Sequence, residues 1–378
     1  MGDKEPSPCR FLVLLLVITI LFNGCNAVNP QTGSLEGLVY RESSTGSAPL
    51  PDALVSINGS TNTALTDEDG YFLLNEIPAG KRTLTIVKEG YVTTKFIHVL
   101  IEPDLINEVN LGEPILLKPT EDRSLYDAAM DSYEQGNYQQ AMNIFQELRN
   151  TYPDSPWADD AQYYMGFINE SKLHLYIQAI LSYYGVLLNY PDSPWADDAQ
   201  LGIGNCYYAT KDYGNAINEY HKVLDFYPES DLHPVTQYSI AQSYRRAASC
   251  NQSIIEFQVV IDLYPGSIYA PPAQYFIGEN YYNLNQYTRA IVEFQKTINH
   301  YPQSSWPQED RLIAPAAYFY IGYCSEKLEN WTEALLAYQV IINNYPKGKW
   351  DDGSSIAEDA LERINYINEY VLPPDEQI

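Results

Sequence analysis

The sequence predicts a multidomain protein in which a small all-β sandwich is followed by an all-α superhelix of repeated helix pairs. An eleven-residue stretch, Tyr152–Gln162, recurs letter for letter as Tyr190–Gln200, and weaker copies follow at a nearly constant spacing. A fixed period of this size is typical of stacked supersecondary units. Before the repeats, residues 33–118 show short runs of alternating apolar and polar residues, which indicate β-strands.

The period of the repeat is set by a Tyr-Pro dipeptide. The prolines of successive copies are separated by 38, 37, 37, 37 and 44 residues; they are Pro153, Pro191, Pro228, Pro265, Pro302 and Pro346. Proline disfavours helix in the residue before it, so each Tyr-Pro is expected to end a helix. The longer last step contains an insertion near residues 308–311, where we expect a loop or a longer helix start.

The first helix of each repeat is predicted to begin at a serine. A serine stands two residues after each of the first five prolines, at Ser155, Ser193, Ser230, Ser267 and Ser304. A serine hydroxyl can accept a hydrogen bond from a free N–H group of the first turn. Pro156 and Pro194 then occupy a position where the missing N–H has no consequence.

Small residues and aromatic residues recur at fixed places in the two helices. The first helix carries one small residue, namely Ala128, Gly166, Gly204, Ala241, Gly278 and Gly322. The second helix carries an aromatic, a small residue three later and a second aromatic four after that, as in Tyr138/Ala141/Phe145 and Tyr176/Ala179/Tyr183. Small residues let two helices approach closely and aromatic rings fill the space beside them.

This pattern resembles the tetratricopeptide repeat. Six copies span roughly Ser124 to Pro346, and the unit is longer by about three or four residues than the usual length of ~34. The longer form is similar to the repeats of the BamD family of outer-membrane assembly lipoproteins and of YbgF-like periplasmic proteins. The resemblance implies a right-handed superhelix of antiparallel helix pairs with a concave binding surface.

A last helix is predicted within residues 351–371. It would place Ile356, Ala360, Leu361, Ile364 and Ile367 on one face. A stack of repeats needs a terminal element whose outer face is polar. We therefore interpret this segment as the C-terminal capping helix.

Residues 33–118 are predicted to form the sandwich, and residues 119–123 a linker. Predicted strands include residues 35–39, 53–57, 83–87 and 107–111, with turns between them. The run from Thr66 to Phe72, Thr-Asp-Glu-Asp-Gly-Tyr-Phe, resembles the carboxypeptidase-regulatory-like domain, a prealbumin-type sandwich. That resemblance implies a stability or spacer module. The acids Asp67, Glu68 and Asp69 allow a calcium site, but they lack the further ligands of a calcium loop, and we expect them to shape the turn.

The N-terminus is predicted to be a lipoprotein signal peptide, residues 1–25. Residues 11–22 form an apolar run of 12 residues, which is short for a membrane span and suits a secretory signal. It ends in Gly24-Cys25, which resembles a bacterial lipobox whose cysteine becomes acylated. We expect a membrane anchor through Cys25 and an outer-membrane location, more often on the periplasmic side. Ordinary signal-peptidase cleavage or an uncleaved anchor are the alternatives.

Charge and motifs argue against several function classes. The net charge of −27 repels nucleic acid and anionic lipid, so no nucleic-acid partner is expected. The sequence has no HExxH, no GxSxG, no phosphate-binding glycine loop and no Cys/His metal spacing, so we expect neither enzymatic activity nor a cofactor or metal. Cys206 and Cys324 are expected to be buried thiols.

A partner-binding groove is predicted on the first helices. Positions three before and four after the small residue lie on one helix face; the candidate residues there are Tyr163, Tyr208, Tyr238, Arg245, Tyr275, Tyr282 and Phe319. Such a stripe can hold an extended peptide or an amphipathic helix. The alternative is that these rings only pack one repeat against the next.

The functional prediction is a lipid-anchored cell-envelope scaffold that binds protein or peptide partners in this groove. Its repeat type suggests outer-membrane protein assembly as one specific role. The alternative is a carbohydrate- or cell-wall-binding surface lipoprotein that stacks its tyrosines on sugar rings.

Overall fold

A computed structural model describes residues 31–43, 46–103, 106–107, 115–307 and 309–371. The predicted signal peptide and Cys25 lie outside these ranges, as does most of the predicted strand at residues 107–111. The chain divides into two compact units, Met1–Gln162 and Tyr163–Ile378. None of the helices in the described ranges has the length and apolar character needed to cross a bilayer.

Unit 1 begins with a β-sandwich. Its strands are β1 (Thr32–Ser43), β2 (Gly46–Pro49), β3 (Leu54–Ile57), β4 (Thr63–Leu65), β5 (Tyr71–Pro78), β6 (Gly80–Val87), β7 (Thr94–Ile101), β8 (Ile106–Asn107) and β9 (Ile115–Leu117). One sheet has the order β2-β1-β5, with β8 and β9 also paired to β1, and the other has the order β4-β3-β6-β7. The inward-facing residues of the strands, among them Leu35, Val55 and Ile86, form one buried core.

Asp67 shapes the turn before β5. One carboxylate oxygen, Oδ1, accepts hydrogen bonds from the backbone N–H groups of Asp69 at 3.0 Å and of Tyr71 at 2.8 Å. An aspartate that bonds to its own chain two residues on is a common turn device. The expectation that this acid orders the turn is confirmed.

The helices follow without a free linker. They are α1 (Glu121–Glu134), α2 (Tyr138–Thr151), α3 (Ala158–Ser171), α4 (Tyr176–Asn189), α5 (Ala196–Ala209), α6 (Tyr213–Phe226), α7 (His233–Arg246), α8 (Cys250–Leu263), α9 (Ala270–Asn283), α10 (Tyr287–His300), α11 (Ala314–Lys327), α12 (Trp331–Asn344) and α13 (Ile356–Tyr370). Helix α1 begins inside the predicted linker, where its acidic first turn, Glu121 and Asp122, suits the positive end of the helix dipole.

The sandwich contacts α1 through partly buried groups within unit 1. Thr120 N donates to Gly90 O at 2.9 Å, and Arg123 lies over the Trp157 ring at 4.4 Å. Asp127 accepts from Arg123 at 2.8 Å and from Arg41 of β1 at 3.5 Å. The prediction of a linker at residues 119–123 is therefore wrong, because the segment is part of a packed junction.

The prediction that each first helix begins at a serine needs correction. The hydroxyls of Ser155, Ser193, Ser230 and Ser267 accept from the N–H two residues on, at 3.1–3.3 Å. The helices begin three residues after these serines, at Ala158, Ala196, His233 and Ala270. The serines thus form a separate turn before each helix, and Pro156 and Pro194 lie in that turn.

The close approach of the two helices in each hairpin agrees with the sequence pattern. A Cβ built on Gly166, Gly204, Gly278 or Gly322 would lie 2.5–2.8 Å from the aromatic ring of the following helix. Those rings, Tyr183, Tyr220, Phe294 and Tyr338, are fully buried. In the first repeat the matching small residue is Ala129, which is buried, whereas the predicted Ala128 is exposed. The spacing from α1 to α3 is 37 residues, one fewer than from α3 to α5.

The insertion before the sixth repeat and the terminal helix complete unit 2. The insertion forms a loop that Ser305 and Leu312 close by bridging, as one of the two expectations had it. In α13, Ser355 caps Glu358 N, and the predicted apolar face is buried except for Leu361, which is 49% exposed. Leu361 follows Ala360 directly, so the helical period turns it away from the buried face.

Candidate partner-binding surface

The first helices of unit 2 lie side by side. Helix α9 contacts α11, and α11 contacts α13. Charged pairs join these helices: Arg245 of α7 donates to Glu279 of α9 at 2.5 Å, and Arg363 of α13 donates to Glu326 of α11. We give the name first-helix face to the side of these helices that carries these charged pairs.

Four of the predicted groove residues pack against neighbouring rings. Tyr163 stacks on Trp195 at 4.5 Å, Tyr238 contacts Tyr269 at 5.1 Å, and Phe319 contacts Trp350 at 5.1 Å. Trp195 and Tyr269 each precede the first helix of the following repeat, and Trp350 precedes the terminal helix α13. Tyr275 lies at 5.1–5.3 Å from Trp306 and Phe294. These positions therefore join repeat to repeat.

Tyr275 does not line the surface of the predicted groove, because it is buried. Its side chain is only 4% exposed, and the rest of α9 from Ala270 to Asn280 is buried apart from Glu279. Neighbouring helices thus cover the middle of α9, so its ring is not available to a partner. Burial also raises the pKa of Tyr275, so its hydroxyl stays protonated.

The other three predicted residues lie half-exposed in the last turns of α5, α7 and α9: Tyr208, Arg245 and Tyr282. The Tyr208 hydroxyl accepts from Arg246 Nε at 3.3 Å, and the Tyr282 ring lies 5.4 Å from Tyr320. We call these three residues the C-terminal band of the first-helix face. They occupy equivalent positions in three consecutive repeats.

Arg245 is held at the centre of this band. Its guanidinium lies 4.2 Å from the centre of the Phe276 ring and pairs with Glu279. Burial alone would lower the pKa of Arg245, but the hydrogen bond and the charge of Glu279 raise it. The group is therefore a fixed cation with a paired carboxylate beside it.

In two other repeats, the residue at the position of Arg245 is a glutamate that accepts a hydrogen bond from the tyrosine facing it. The Tyr183 hydroxyl donates to Glu170 at 2.6 Å, and the Tyr338 hydroxyl donates to Glu326 at 2.6 Å. Where the facing ring is Phe257, which has no hydroxyl, the position holds Arg245. Burial raises the pKa of Glu170 although Tyr183 and Asn205 donate to it. These carboxylates accept hydrogen bonds from buried hydroxyls.

The sequence reasoning missed several residues of this surface. Glu279 and Arg246 bind predicted residues, and Tyr323 lies 5.9 Å from Tyr282. Comparing the last helical turn across repeats would have identified Arg246, which directly follows a predicted residue. Pairing between repeats, as in Arg245 with Glu279, carries no signal in a single sequence.

Metal-binding and thiol groups are the remaining candidates for chemistry in unit 2. Within the described residues no group of three or more His, Cys, Asp or Glu side chains is placed to hold a metal ion. Cys206 and Cys324 are free and buried, as expected. Burial raises the pKa of both thiols.

Comparisons with known proteins support the domain types. A carboxypeptidase regulatory-like domain model matches residues 34–112, and a tetratricopeptide repeat model matches residues 198–230. These matches confirm the two predicted resemblances. A search of curated proteins finds no significant match.

Several solved structures are similar to this chain. The crystal structure of MamA protein is 20% identical and covers 57% of this chain and 97% of its own, with a TM-score of 0.39. PilW, a type IV pilus biogenesis factor, is 14% identical and covers 64% and 98%, with a TM-score of 0.45. YrrB, described as a TPR protein with an unusual peptide-binding site, is 15% identical and covers 58% and 97%, with a TM-score of 0.40.

The tetratricopeptide-type repeats make the chain a protein-interaction scaffold, a class that is typically non-enzymatic. A third family model, described as outer membrane lipoprotein (YfiO), matches residues 119–169 and 230–372. Because the two ranges matched by this one model cover just over half of the sequence, the chain belongs to the YfiO outer membrane lipoprotein family.

Proposed function

We propose that this protein is a lipid-anchored scaffold of the cell envelope that binds a protein segment across the C-terminal band. The observation that carries the proposal is the contrast within the first-helix face. Tyr208, Arg245 and Tyr282 are half-exposed at equivalent positions, whereas α9 is buried from residue 270 to 280 apart from Glu279. On α9, a partner would therefore reach the last turn of the helix and not its centre.

The chemistry of the band suits a peptide. Tyrosine offers a large rigid ring and a hydroxyl with little conformational entropy to lose. The Arg245–Glu279 pair offers both a cation and a carboxylate acceptor beside the rings. An extended peptide or one face of an amphipathic helix can use both kinds of contact.

The site test uses a photo-crosslinking amino acid at Tyr208 or Tyr282 in intact cells. A matched control places it at Gln295, on the exposed face of the second helix α10. We expect crosslinks to a common partner from both band positions and not from Gln295. Equal crosslinking from all three positions would contradict the proposal.

Variants separate binding from folding. Tyr208→Ala with Tyr282→Ala should abolish capture of that partner, with thermal unfolding nearly unchanged because both rings are half-exposed. Tyr238→Ala and Tyr275→Ala should instead lower the unfolding temperature, because these rings pack between repeats. Capture that survives the double substitution would refute the assignment of the band.

The lipid anchor at Cys25 has its own test. The family description and the Gly24-Cys25 sequence support acylation and an outer-membrane location. Metabolic labelling with a clickable fatty acid should tag the protein, and Cys25→Ala should abolish the label. An unlabelled mature form that begins at another residue would refute the anchor.

The identity of the partner distinguishes outer-membrane protein assembly from cell-wall binding. Crosslinked components of barrel assembly would support a part in outer-membrane protein assembly. Retention on peptidoglycan or glycans that disappears with Tyr208→Ala and Tyr282→Ala would instead favour the cell-wall-binding alternative.

A further inference from the structure

Helix α4 carries an exposed apolar stripe on the side of unit 2 formed by the second helices. The exposed fractions are 72% for Ile177, 67% for Leu181, 38% for Tyr184 and 81% for Leu188. The spacing of four, three and four residues is that of a coiled-coil seam. All four residues therefore project from one side of the helix, away from the buried face that holds Ala179 and Tyr183. We call them the α4 seam.

The other repeats show that the fold does not require this seam. Equivalent positions are Gln139, Asn143, Gln146 and Asn150 in α2, Gly214, Asn218, His221 and Asp225 in α6, Asn251, Ile255, Gln258 and Asp262 in α8, Thr288, Val292, Gln295 and Asn299 in α10, and Thr332, Leu336, Gln339 and Asn343 in α12. Each of these has at most one large apolar residue. Helix α4 also has no charged residue in its 14 positions, although the chain has a net charge of −27.

The neighbouring helix α6 leaves room beside the seam. The Tyr184 hydroxyl donates to Glu219 of α6 at 3.2 Å, so the two helices lie next to each other. The outer positions of α6 begin with Gly214, where an added Cβ would meet no atom within 4 Å. Asn218 and His221 follow, and these outer positions carry no charge up to Asp225. Lys222, which pairs with Glu219 at 2.7 Å, adds an ion pair where α6 meets Tyr184.

The charges at the two ends of this surface are opposite. Lys172 and Lys211 are exposed just before α4 and α6, and Asp192 and Asp225 are exposed at their C-terminal ends. Asp212, which caps α6, is an acid at the basic end. As second helices of their repeats, α4 and α6 run in the same direction, so the polarity of both is the same.

These features match a second copy of the same surface. A two-fold axis perpendicular to the helices would place α4 antiparallel on its mate and α6 antiparallel on its mate. Lysines would then face aspartates at both ends, and seam would face seam. A parallel arrangement would instead bring the aspartates together. Self-complementarity of this kind is what an isologous contact requires.

A stable contact of this kind needs a sufficient buried area on each copy. The four seam side chains offer on the order of 400 Å², about half of the ~800 Å² that each partner buries in a standard interface. The antiparallel arrangement also covers the outer side of α6, which adds to this area. A membrane surface fits less well, because interfacial helices carry lysine and arginine beside the apolar face, and α4 has neither.

We propose that the protein self-associates through the α4 seam as an antiparallel two-fold dimer. This surface is on the second helices and is separate from the C-terminal band. The dimer would therefore present two such bands. The contact is independent of the function proposed above, since its residues and its test are different.

The test is disulfide or bis-maleimide crosslinking of the full chain in intact cells, with two differently tagged copies. In the antiparallel dimer Ile177 faces Leu188 of the mate. A copy with Ile177→Cys should therefore crosslink to a copy with Leu188→Cys, and two Ile177→Cys copies should not crosslink. Cys250→Ser removes the half-buried native thiol. The matched control pair is Thr288→Cys with Asn299→Cys on α10, which should give no product.

Substitutions complete the test. Leu181→Glu should weaken self-association at least about tenfold, because a carboxylate would be buried in an apolar contact, and Leu336→Glu at the same position of α12 should not. Lys211→Asp should weaken it, and Lys211→Asp with Asp225→Lys should restore it. Absence of the Ile177–Leu188 product, a parallel Ile177–Ile177 product, or crosslinks only to other proteins would each overturn the proposal. Tyr208→Ala with Tyr282→Ala should leave the dimer intact.

Discussion

Replacing Gly204 by alanine tests the idea that close approach of the helices holds each hairpin together. An added Cβ would lie 2.5 Å from Cδ1 and Cε1 of Tyr220. Carbon atoms in contact are ordinarily about 3.5–4.0 Å apart, so the ring would have to move by about 1 Å. The ring cannot do this freely, because it is 1% exposed and its hydroxyl donates to Asn205 at 2.9 Å.

The expected magnitude combines two opposing effects. Overpacking of a core costs about 1–3 kcal/mol, and alanine in place of glycine in a helix stabilises by about 1 kcal/mol. We therefore expect Gly204→Ala to lower the free energy of unfolding by up to about 2 kcal/mol. Gly214→Ala in α6 is the control, because its Cβ would meet nothing within 4 Å. That change should stabilise by up to about 1 kcal/mol.

The assay is the urea midpoint followed by circular dichroism, together with hydrogen exchange of α5 and α6. Exchange is needed because repeat arrays need not unfold in one step. Ala241 provides the reverse test, since this alanine is fully buried in one cluster with Phe257. Ala241→Gly should destabilise by about 1 kcal/mol. If Gly204→Ala stabilised the protein as much as Gly214→Ala does, the close-approach argument would be refuted.

Three further changes have outcomes that the structure predicts, each measured as a shift in the urea midpoint. Glu170→Gln should stabilise the protein more at pH 7 than at pH 4. Burial raises the pKa of Glu170 in the folded protein above its usual value, so the stability that the protonated carboxyl contributes is lost as the pH rises through that pKa. A difference between the two proteins that does not depend on pH would contradict this. Ala248→Gly should stabilise by about 0.5–1 kcal/mol, because the strain at φ 58° outweighs the extra conformational entropy that glycine loses on folding, whereas Gly136→Ala should destabilise. Arg363→Met should cost about 2 kcal/mol, because Glu326 keeps only Tyr338 as a described partner, and the exposed Arg289→Met should be neutral.

The fold could be predicted largely because the buried positions of the repeats carry the same few residue types. Gly166 with Tyr183 and Gly322 with Tyr338 repeat one contact at nearly equal distances. Helix starts were less predictable, because the Ser-Pro-Trp stretch suits a turn and a helix cap equally well. Only the structure shows that Ser155 bonds the N–H two residues on and that the helix begins at Ala158.

The candidate site was predictable only in part, for a physical reason. Helical period places Tyr275 and Tyr282 on one face, but period does not report which part of that face the neighbouring helices cover. Tyr275 is buried because Trp306, Phe294 and Tyr320 surround it. Two of these three rings come from the next repeat or the turn before it. The sequence of one helix therefore does not show which of its residues are exposed.

The repeats also indicate where function lies. A buried position in one repeat contacts residues of the next, so its side chain is constrained by a neighbour with the same pattern. An exposed outer position has no such constraint, and most second helices fill it with Gln, Asn or Thr. Helix α4 departs from this with four apolar residues, of which Leu188 is 81% exposed. Exposed apolar side chains give no stability to the isolated fold. Their concentration on one helix of an acidic chain is the reason for proposing a contact there, and the α4 seam is separate from the C-terminal band proposed to bind a partner.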